Sequence, residues 1–491
     1  MGRLRDAWQA LRGYASAQDS RASSWAASGS SANAEVGAAA STVARRARDA
    51  VRNDPYAARI VDLWTGNAVG AGITTRWPDK PHAAAWRRWS ESTACDAEGR
   101  LDLFGLQALV MRAVVESGEC FVRMLPADIT PANPIGLRLQ VLESDHLDTM
   151  RNGVVEGLPT LQGIALGDAG APAAYWLYRV HPGASWLLPS GGRLLSEQVP
   201  AADVLHIYRK RRPGQLRDVS WLAPVLTRLR DLGDYEAALL MKAKIEACLA
   251  AVVTEEGDET LTGPAAGLLR DAQGRTVESF EPGMILYRRG MGSVEVVNPS
   301  GGGSHAAFAR RALEASAVGT GLTYDQVAGD LTQANYSSLR AGKIEFRRLC
   351  EQVQYGMLIP MLVRPIADRF HAQGALLGLW DTEVPDGVSH VPPAHEMIDP
   401  LKDTTALIAQ VRAGFVPQPE AVGAFGYDFR QVVEMIREAN ALLDDAGLSL
   451  DTDPRRVAKS GSAQDAAQMA AIEIAATGAA APARPDPQPQ G

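Results

Sequence analysis

Residues 213–247 read PGQLRDVSWLAPVLTRLRDLGDYEAALLMKAKIEA, and this stretch organises everything around it. Leu222, Val225, Leu226, Leu229 and Leu232 recur at helical spacing, and Leu239, Leu240 and Ala243 continue the stripe. Asp218 or Ser220 is placed to cap the helix, and Pro224 falls in its first turn, where a missing N–H costs little. The spacing predicts one helix over 221–250, about 45 Å long at the usual rise per residue. That is long for an element of a compact domain.

Outward from it the texture changes sharply. Residues 251–304 read as a strand-and-turn insert closed by Gly301, Gly302 and Gly303. The insert holds Glu255, Glu256, Asp258, Glu259, Asp271, Glu278, Glu281 and Glu295 against Arg270, Arg275, Arg288 and Arg289, so it is net acidic. A helix over 305–318 and an irregular stretch to 337 come next. A second long helix over 338–359 carries Leu339, Phe346, Leu349, Val353 and Met357. Two capped helices end the body, the first with Asp399 as cap, Pro400 behind it and Gly414 as stop. The second has Asp428 and Gln431 in a capping-box arrangement.

Upstream, 43–69 reads as one helix with Ile60, Leu63 and Trp64 on a face, and Trp86 and Trp89 share another. From 119 to 205 the runs CFVRML, LRLQVLE, AYWLYRV and DVLHIYR, broken by Gly and Pro, predict a β-rich region. The Ala/Ser/Gly tract 15–42 and the Pro-rich end from 458 read as flexible. The fold class expected is α+β.

Composition narrows the function. Of 491 residues, 49 are Lys or Arg and 57 Asp or Glu, giving a net charge of −8. A chain that coats nucleic acid carries a basic excess, so any DNA partner is not gripped tightly. Cys95, Cys120, Cys248 and Cys350 are scattered without a CxxC, which suits a reducing compartment and supports neither zinc module nor disulfide framework. With no apolar run near the roughly 18 residues a membrane span needs, and no signal-like start, the expectation is a soluble chain made in the cytoplasm.

Catalytic signatures are missing. Neither GxxxxGK[ST], GxSxG nor HExxH occurs, and no cofactor motif is present. His390, His395, Glu396 and Asp399 form the one cluster with ligand chemistry, but the His spacing and Pro392-Pro393 favour a loop leading to a helix cap. His206 reads as a satisfied strand histidine. Two basic features remain: Arg209, Lys210, Arg211, Arg212 and Arg217 before the first long helix, and Arg340, Lys343 and Arg347 at i, i+3, i+7 on the second. Either set suits phosphate contacts, a solvated surface or an ion pair between subunits.

Four segments carry a resemblance. They are 213–247, quoted above; PGMILYRRGMGSVEVVNP at 282–299; AVGTGLTYDQVAGDLTQANYSSLRAGKIEFRR at 317–348; and IDPLKDTTALIAQVRAGF at 398–415. Together the chain resembles the lambda-type portal proteins of tailed bacteriophages across 43–445. Asn335–Arg340 and Ile398–Lys402 are its most specific markers, with local departures at Asp218 and at Leu322-Thr323.

The resemblance implies a portal fold: wing at 43–220 and 341–395, stem helices at 221–250 and 305–320, clip at 251–304, tunnel-loop region at 321–340, and helical crown at 396–457. Residues 1–42 and 458–491 stay outside it as flexible ends. It further implies a homododecameric ring at one capsid vertex of the virion, assembled in the host cytoplasm. Double-stranded DNA would pass through it, with terminase large subunit and then head–tail adaptor docking on it, and major capsid protein and scaffold as neighbours. On this reading Gln333, Asn335, Arg340, Lys343 and Arg347 are the candidate channel residues. Glu255, Glu256, Asp258 and Glu259 are the candidate docking residues of the clip. No catalysis, cofactor or membrane is implied; the alternative is an infection-associated metal-dependent nuclease or hydrolase.

Overall fold

Two helices open the described chain. The computed structural model describes residues 27–184, 194–255, 305–332, 336–394, 397, 399–427, 429–448 and 450, with strand segments 269–270, 276–277 and 284–289; side chains are described outside 245–289 and 336–338. Helix α1 (Ala32–Asn53) begins inside the tract read as flexible, with the Ser31 hydroxyl accepting from Ala34 N. Alanine loses no side-chain entropy in a helix, and Ala40, Ala44 and Ala47 are small enough to be buried at close approach. The helix expected over 43–69 is therefore two. Asp54 interrupts it, accepting from both Tyr56 N and Ala57 N at 2.8 Å, and Pro55 starts α2 (Pro55–Ala68).

A short strand β1 (Thr74–Arg76) leads to α3 (Lys80–Ser90), which buries Trp86 and Trp89. The Phe370 ring packs 4.9 and 5.5 Å from these two tryptophans, and the Trp89 indole donates to Leu137 O at 2.8 Å. Helix α4 (Leu103–Ser117) stops at Gly118, whose φ of 95° only glycine adopts without strain. A Cβ there would also lie 2.3 Å from the Val219 carbonyl carbon, so the chain turns tightly into the sheet beneath the 219–220 backbone.

The first sheet is antiparallel in the order β3 (Leu137–Glu143), β2 (Glu119–Pro126), β9 (Val204–Tyr208). Alternation divides its faces. Cys120, Val122, Met124, Leu205 and Ile207 face the helical core, while Phe121 and Val204 face a smaller apolar cluster with Tyr175 and Leu177. That second cluster is roofed by an antiparallel meander, β4 (Gly153–Val155), β5 (Leu158–Leu161), β6 (Ile164–Leu166), β7 (Pro172–Tyr178) and β8 (Ser196–Pro200).

The long helix α5 (Leu226–Cys248) starts later than its periodicity suggests. Trp221 and Leu222 are buried in a turn, where the Ser220 hydroxyl accepts from Leu222 N and donates to Val115 O. Asp218 does not cap it. Its carboxyl is buried near Arg211 and Gln215, and burial pushes its pKa up to about 6. Helix α5 passes directly into β10 (Leu249–Glu255), which pairs in parallel with β13 (Met284–Arg289); β11 (Leu269–Arg270) and β12 (Thr276–Val277) form an antiparallel pair.

Helix α6 (His305–Thr320) and the short α7 (Tyr324–Ala328) follow. The second long helix runs well past its expected end at 359. Helix α8 (Tyr336–Val353) continues through a π-helical segment, Gln354–Val363, into α9 (Arg364–Leu376). Pro360 lies inside the π segment; the wider turn, with Arg364 N bonded to Ile359 O, carries the helix past a residue that has no donor of its own. Trp64 is the hub of this core: its indole donates to Thr320 O at 2.9 Å and its ring meets Trp221 and Phe346 edge-on at 4.9 and 5.1 Å. Strand β14 (Ser389–Val391) pairs with β1 and completes a unit ending at Pro393.

The second unit begins at Ala394 and contains α10 (Pro400–Arg412), α11 (Gln418–Gly423) and α12 (Phe429–Asp445). Asp399 caps α10 as expected, accepting from Lys402 N, and Gly414 has φ of 77°. The expected cap Asp428 lies outside the described residues.

Within the first unit, three charged groups are buried together. The Arg217 Nε donates to the two Glu119 carboxylate oxygens at 2.9 and 3.2 Å, and its Nη2 also bonds Oε1. His206 Nε2 lies 3.0 Å from Glu119 Oε2. Burial works against the carboxylate charge, but Arg217 and His206 outweigh it and hold the Glu119 pKa below its ordinary value; burial lowers that of His206. Glu119→Gln leaves the guanidinium buried without a counter-charge, and stability is expected to fall by about 3–5 kcal/mol in urea denaturation. The double variant Glu119→Leu/Arg217→Met is expected to recover most of it; equal loss in both would show that the pair's charge is not what holds the site.

Candidate nucleic-acid interface

Among the described residues, the channel candidates expected from the sequence fall on α8, which follows α6 and α7 in the chain. The turn after α6 is built by Gly321, with φ of 76°, and by Leu322 N bonding back to Ala317 O at 2.9 Å. Thr323 then caps α7 in a reciprocal box with Gln326, and Gly329 ends it in the left-handed region. These local signals are all visible in GLTYDQVAG.

The segment is pinned by charge. Arg310 Nε bonds Glu314 Oε1 at 3.0 Å and its guanidinium sits 4.9 Å above the Tyr324 ring. The Tyr324 hydroxyl donates to Asp330 Oδ2 at 3.3 Å, and Asp330 accepts from the Thr332 amide at 3.0 Å and hydroxyl at 2.6 Å. Hydrogen bonds from Thr332, amide and hydroxyl together, hold the Asp330 pKa below its ordinary value. The turn after α7 is therefore held in place by its own side chains.

Gln333 and Asn335 lie outside the described residues. Arg340, Lys343 and Arg347 all fall on α8, Lys343 exposed and the other two half-buried. The adjacent face buries Phe346, Cys350 and Val353 in the main core. The i, i+3, i+7 spacing thus gives a basic stripe on a helix whose adjacent face is fixed by packing. Among the clip candidates, Glu255 ends β10, while Glu256, Asp258 and Glu259 lie outside the described residues.

The other basic set is mostly engaged within the chain, although Arg211 and Arg212 keep 44% and 51% of their side chains exposed. Arg217 is buried on Glu119, and Arg212 bonds Glu35 at 2.8 Å and Ser30 O at 3.3 Å. Arg211 lies 3.5 Å from Asp218, and the Arg209 guanidinium sits 5.2 Å from the Trp221 ring. Four of five charges are thus turned to partners within the chain, each far enough in sequence, or oriented by enough tertiary packing, that spacing alone could not reveal it. Lys210 stays exposed.

Among the described residues, His390 and His206 do not gather into a metal centre. His390 stands on β14 with Nδ1 3.0 Å from the Thr75 hydroxyl, and His395 and Glu396 lie outside the described residues. His206 is the bonded strand histidine described above. Sequence reading did not foresee the one grouping with ligand chemistry among the described residues, Glu143, Asp145 and His181. Arg48 already fills it, 3.2 Å from Glu143 and bonded to Asp145 at 2.5 Å. Burial opposes the Asp145 charge, yet Arg48 holds that carboxyl below its usual range. A cation from the chain itself therefore satisfies these carboxylates.

With this geometry in place, comparison with known proteins is specific. Residues 18–354 match the family model described as "Phage portal protein, lambda family". The chain is 28% identical over 388 residues to the "Probable portal protein" of Halomonas phage phiHAP-1, covering 74% of this chain and 73% of that one. It is 23% identical over 348 residues to "Portal protein B" of Escherichia phage lambda, covering 61% and 62%. A chain from the solved "Virion of native gene transfer agent (GTA) particle" aligns with 17% identity and a TM-score of 0.43, over 78% of this chain and 93% of that one. The curated relatives are structural portal proteins, not enzymes. The family model spans more than half of the sequence, and the chain belongs to the lambda family of phage portal proteins.

Proposed function

We propose that this chain forms a ring-shaped channel at one capsid vertex of a virion, through which double-stranded DNA is packaged and later ejected. The observation that carries the reading is family membership over 18–354, which takes in the order long helix, β-module, helix, turn, long helix. In this reading 43–220 and 341–395 are wing, α5 and α6 are stem, 251–304 is clip, 321–340 is the tunnel-loop region and 396–457 is crown. The clip receives terminase large subunit and then the head–tail adaptor; capsid protein and scaffold surround the wing.

The charge distribution supports a sliding rather than a gripping surface. Each phosphate neutralised by Lys or Arg releases counterions and adds affinity, so a passage for DNA works best with few such contacts. A chain of net charge −8 whose basic loop is engaged with Glu119, Glu35 and Asp218 offers few such contacts, with a short basic stripe on α8.

Three measurements test this. Light scattering of the purified chain is expected to give about 630 kDa for twelve copies, or one copy more when the ring closes without a capsid, with an axial hole in cryo-electron micrographs; a monomer or dimer at high concentration would overturn it. Lys343→Glu combined with Arg347→Glu is expected to leave the ring mass unchanged and lower the yield of DNA-filled heads; unchanged filling removes the stripe from the channel wall. Charge reversal to Lys at Glu255, Glu256, Asp258 and Glu259 is expected to weaken terminase binding without changing ring mass. Normal terminase binding there would make the acidic edge a solvated surface only.

A further inference from the structure

The unit beginning at Ala394 has three helices and, among its described residues, no buried side chain. Helix α11 packs on both α10 and α12. Helices of this length are marginal in water unless an apolar face is covered. Here two faces are left open. On α10 and just beyond it, Leu401, Ile408 and Phe415 recur every seven residues and are 78%, 49% and 81% exposed. On α12, Met435 and Leu442, also seven apart, are 57% and 71% exposed, with Ala439 between them on the same side. A seven-residue repeat returns to nearly the same face after two turns, so Leu401 and Ile408 share one face of α10 and Met435 and Leu442 one face of α12, with Phe415 past the helix end at Gly414.

The charges beside the stripes are opposite. Arg412 follows Ile408 by four residues and flanks the α10 stripe; Glu438 and Asp445 each follow a stripe residue of α12 by three. All three are exposed, and none forms an ion pair with another described residue. One edge of the unit is thus apolar with a cation, and the other is apolar with anions. A two-fold dimer pairs unlike edges only if both stripes of each copy meet the partner at once across the axis, which closes the contact at two copies. Stripes on separate edges of the unit pair one at a time when each copy meets the next head to tail, which closes into a ring or runs on as a filament.

We infer that the α10 stripe of one copy docks on the α12 stripe of a second copy of this chain, with Arg412 set between Glu438 and Asp445, so that this unit gains its buried core only on assembly. The inference rests on the ring reading above and adds to it the surfaces that meet and their polarity. Leu401, Ile408 and Phe415 then enter the surface bounded by Met435 and Leu442, and the exposed charges find partners across the seam.

The test uses the full chain carrying Ile408→Cys and Leu442→Cys together, oxidised with copper phenanthroline and run on a non-reducing denaturing gel. The wild-type chain beside it accounts for native cysteines. A ladder of covalent multimers from the double variant, with each single variant remaining monomeric, is the expected result. Dimers from either single variant would show a two-fold contact and overturn the inference. So would a cross-link confined to one chain, or no cross-link at all.

Light scattering of the same samples before oxidation separates this from the ring reading. A ring-sized mass without a ladder removes the inference and keeps the ring; a ladder from open filaments keeps the contact and removes the closed ring; a monomer removes both. As an independent check, Arg412→Glu is expected to abolish the ladder. Adding Glu438→Lys and Asp445→Lys is expected to restore it; failure of that rescue would overturn the charge pairing.

Discussion

Arg217 and Glu119 bind each other where both side chains are almost wholly buried, and much of the first unit is arranged around that fact. Glu119 is the first residue of β2, and Arg217 lies in the loop that delivers the chain to α5. The same guanidinium donates to Gln162 at 3.2 Å, and Gln162 in turn donates to Asn33 O at 2.8 Å. Asn33 closes the circuit, giving its amide to Gly214 O and accepting from Leu216 N. Helix α1, the meander, the first sheet and the entry to α5 are thereby joined through one set of polar groups. In a low-dielectric interior such a network is stabilising only when its members are satisfied, so the register of all four segments is constrained together.

Gly37 shows how tight that constraint is. A Cβ there would lie 2.1 Å from Gln162 Nε2, so a side chain at this position would displace the Gln162 amide from its bonds to Arg217 and Asn33. The N-terminal helix is thus an integral strap over the meander and the 211–217 loop. An Ala-rich segment with no apolar stripe of large residues reads as flexible by composition. It is ordered here because small residues permit close backbone approach, and because Asn33 and Glu35 find partners some 180 residues away.

The two units solve the burial problem differently. The first surrounds Trp64, Trp89, Phe121 and Phe370 with two sheets' worth of strands and with helices, and its core is complete within one chain. The second has well-formed caps, at Asp399 and Pro400 among others, but leaves its large apolar residues in water. Good local signals without burial among the described residues are what the association inferred above would complete.

Local physics was legible in the residues themselves. Strand runs such as CFVRML and DVLHIYR, the paired tryptophans of α3, the Asp399-Pro400 cap and the order of helices around a β-module all follow from periodicity, capping and turn chemistry, which act within a few residues. The limits of elements were less so: Asp54-Pro55 divides one expected helix, Ser220 and Trp221 delay α5, and the π segment carries the second long helix through Pro360. What only the tertiary structure decided is the use of the charges. Arg217 lies 98 residues from Glu119, and Arg48 is 97 from Asp145. Sequence spacing encodes neighbours one helical turn or one strand apart, whereas these pairs are made by packing distant segments, so the same arginine reads as a surface charge in the sequence and stands as a buried tie in the fold.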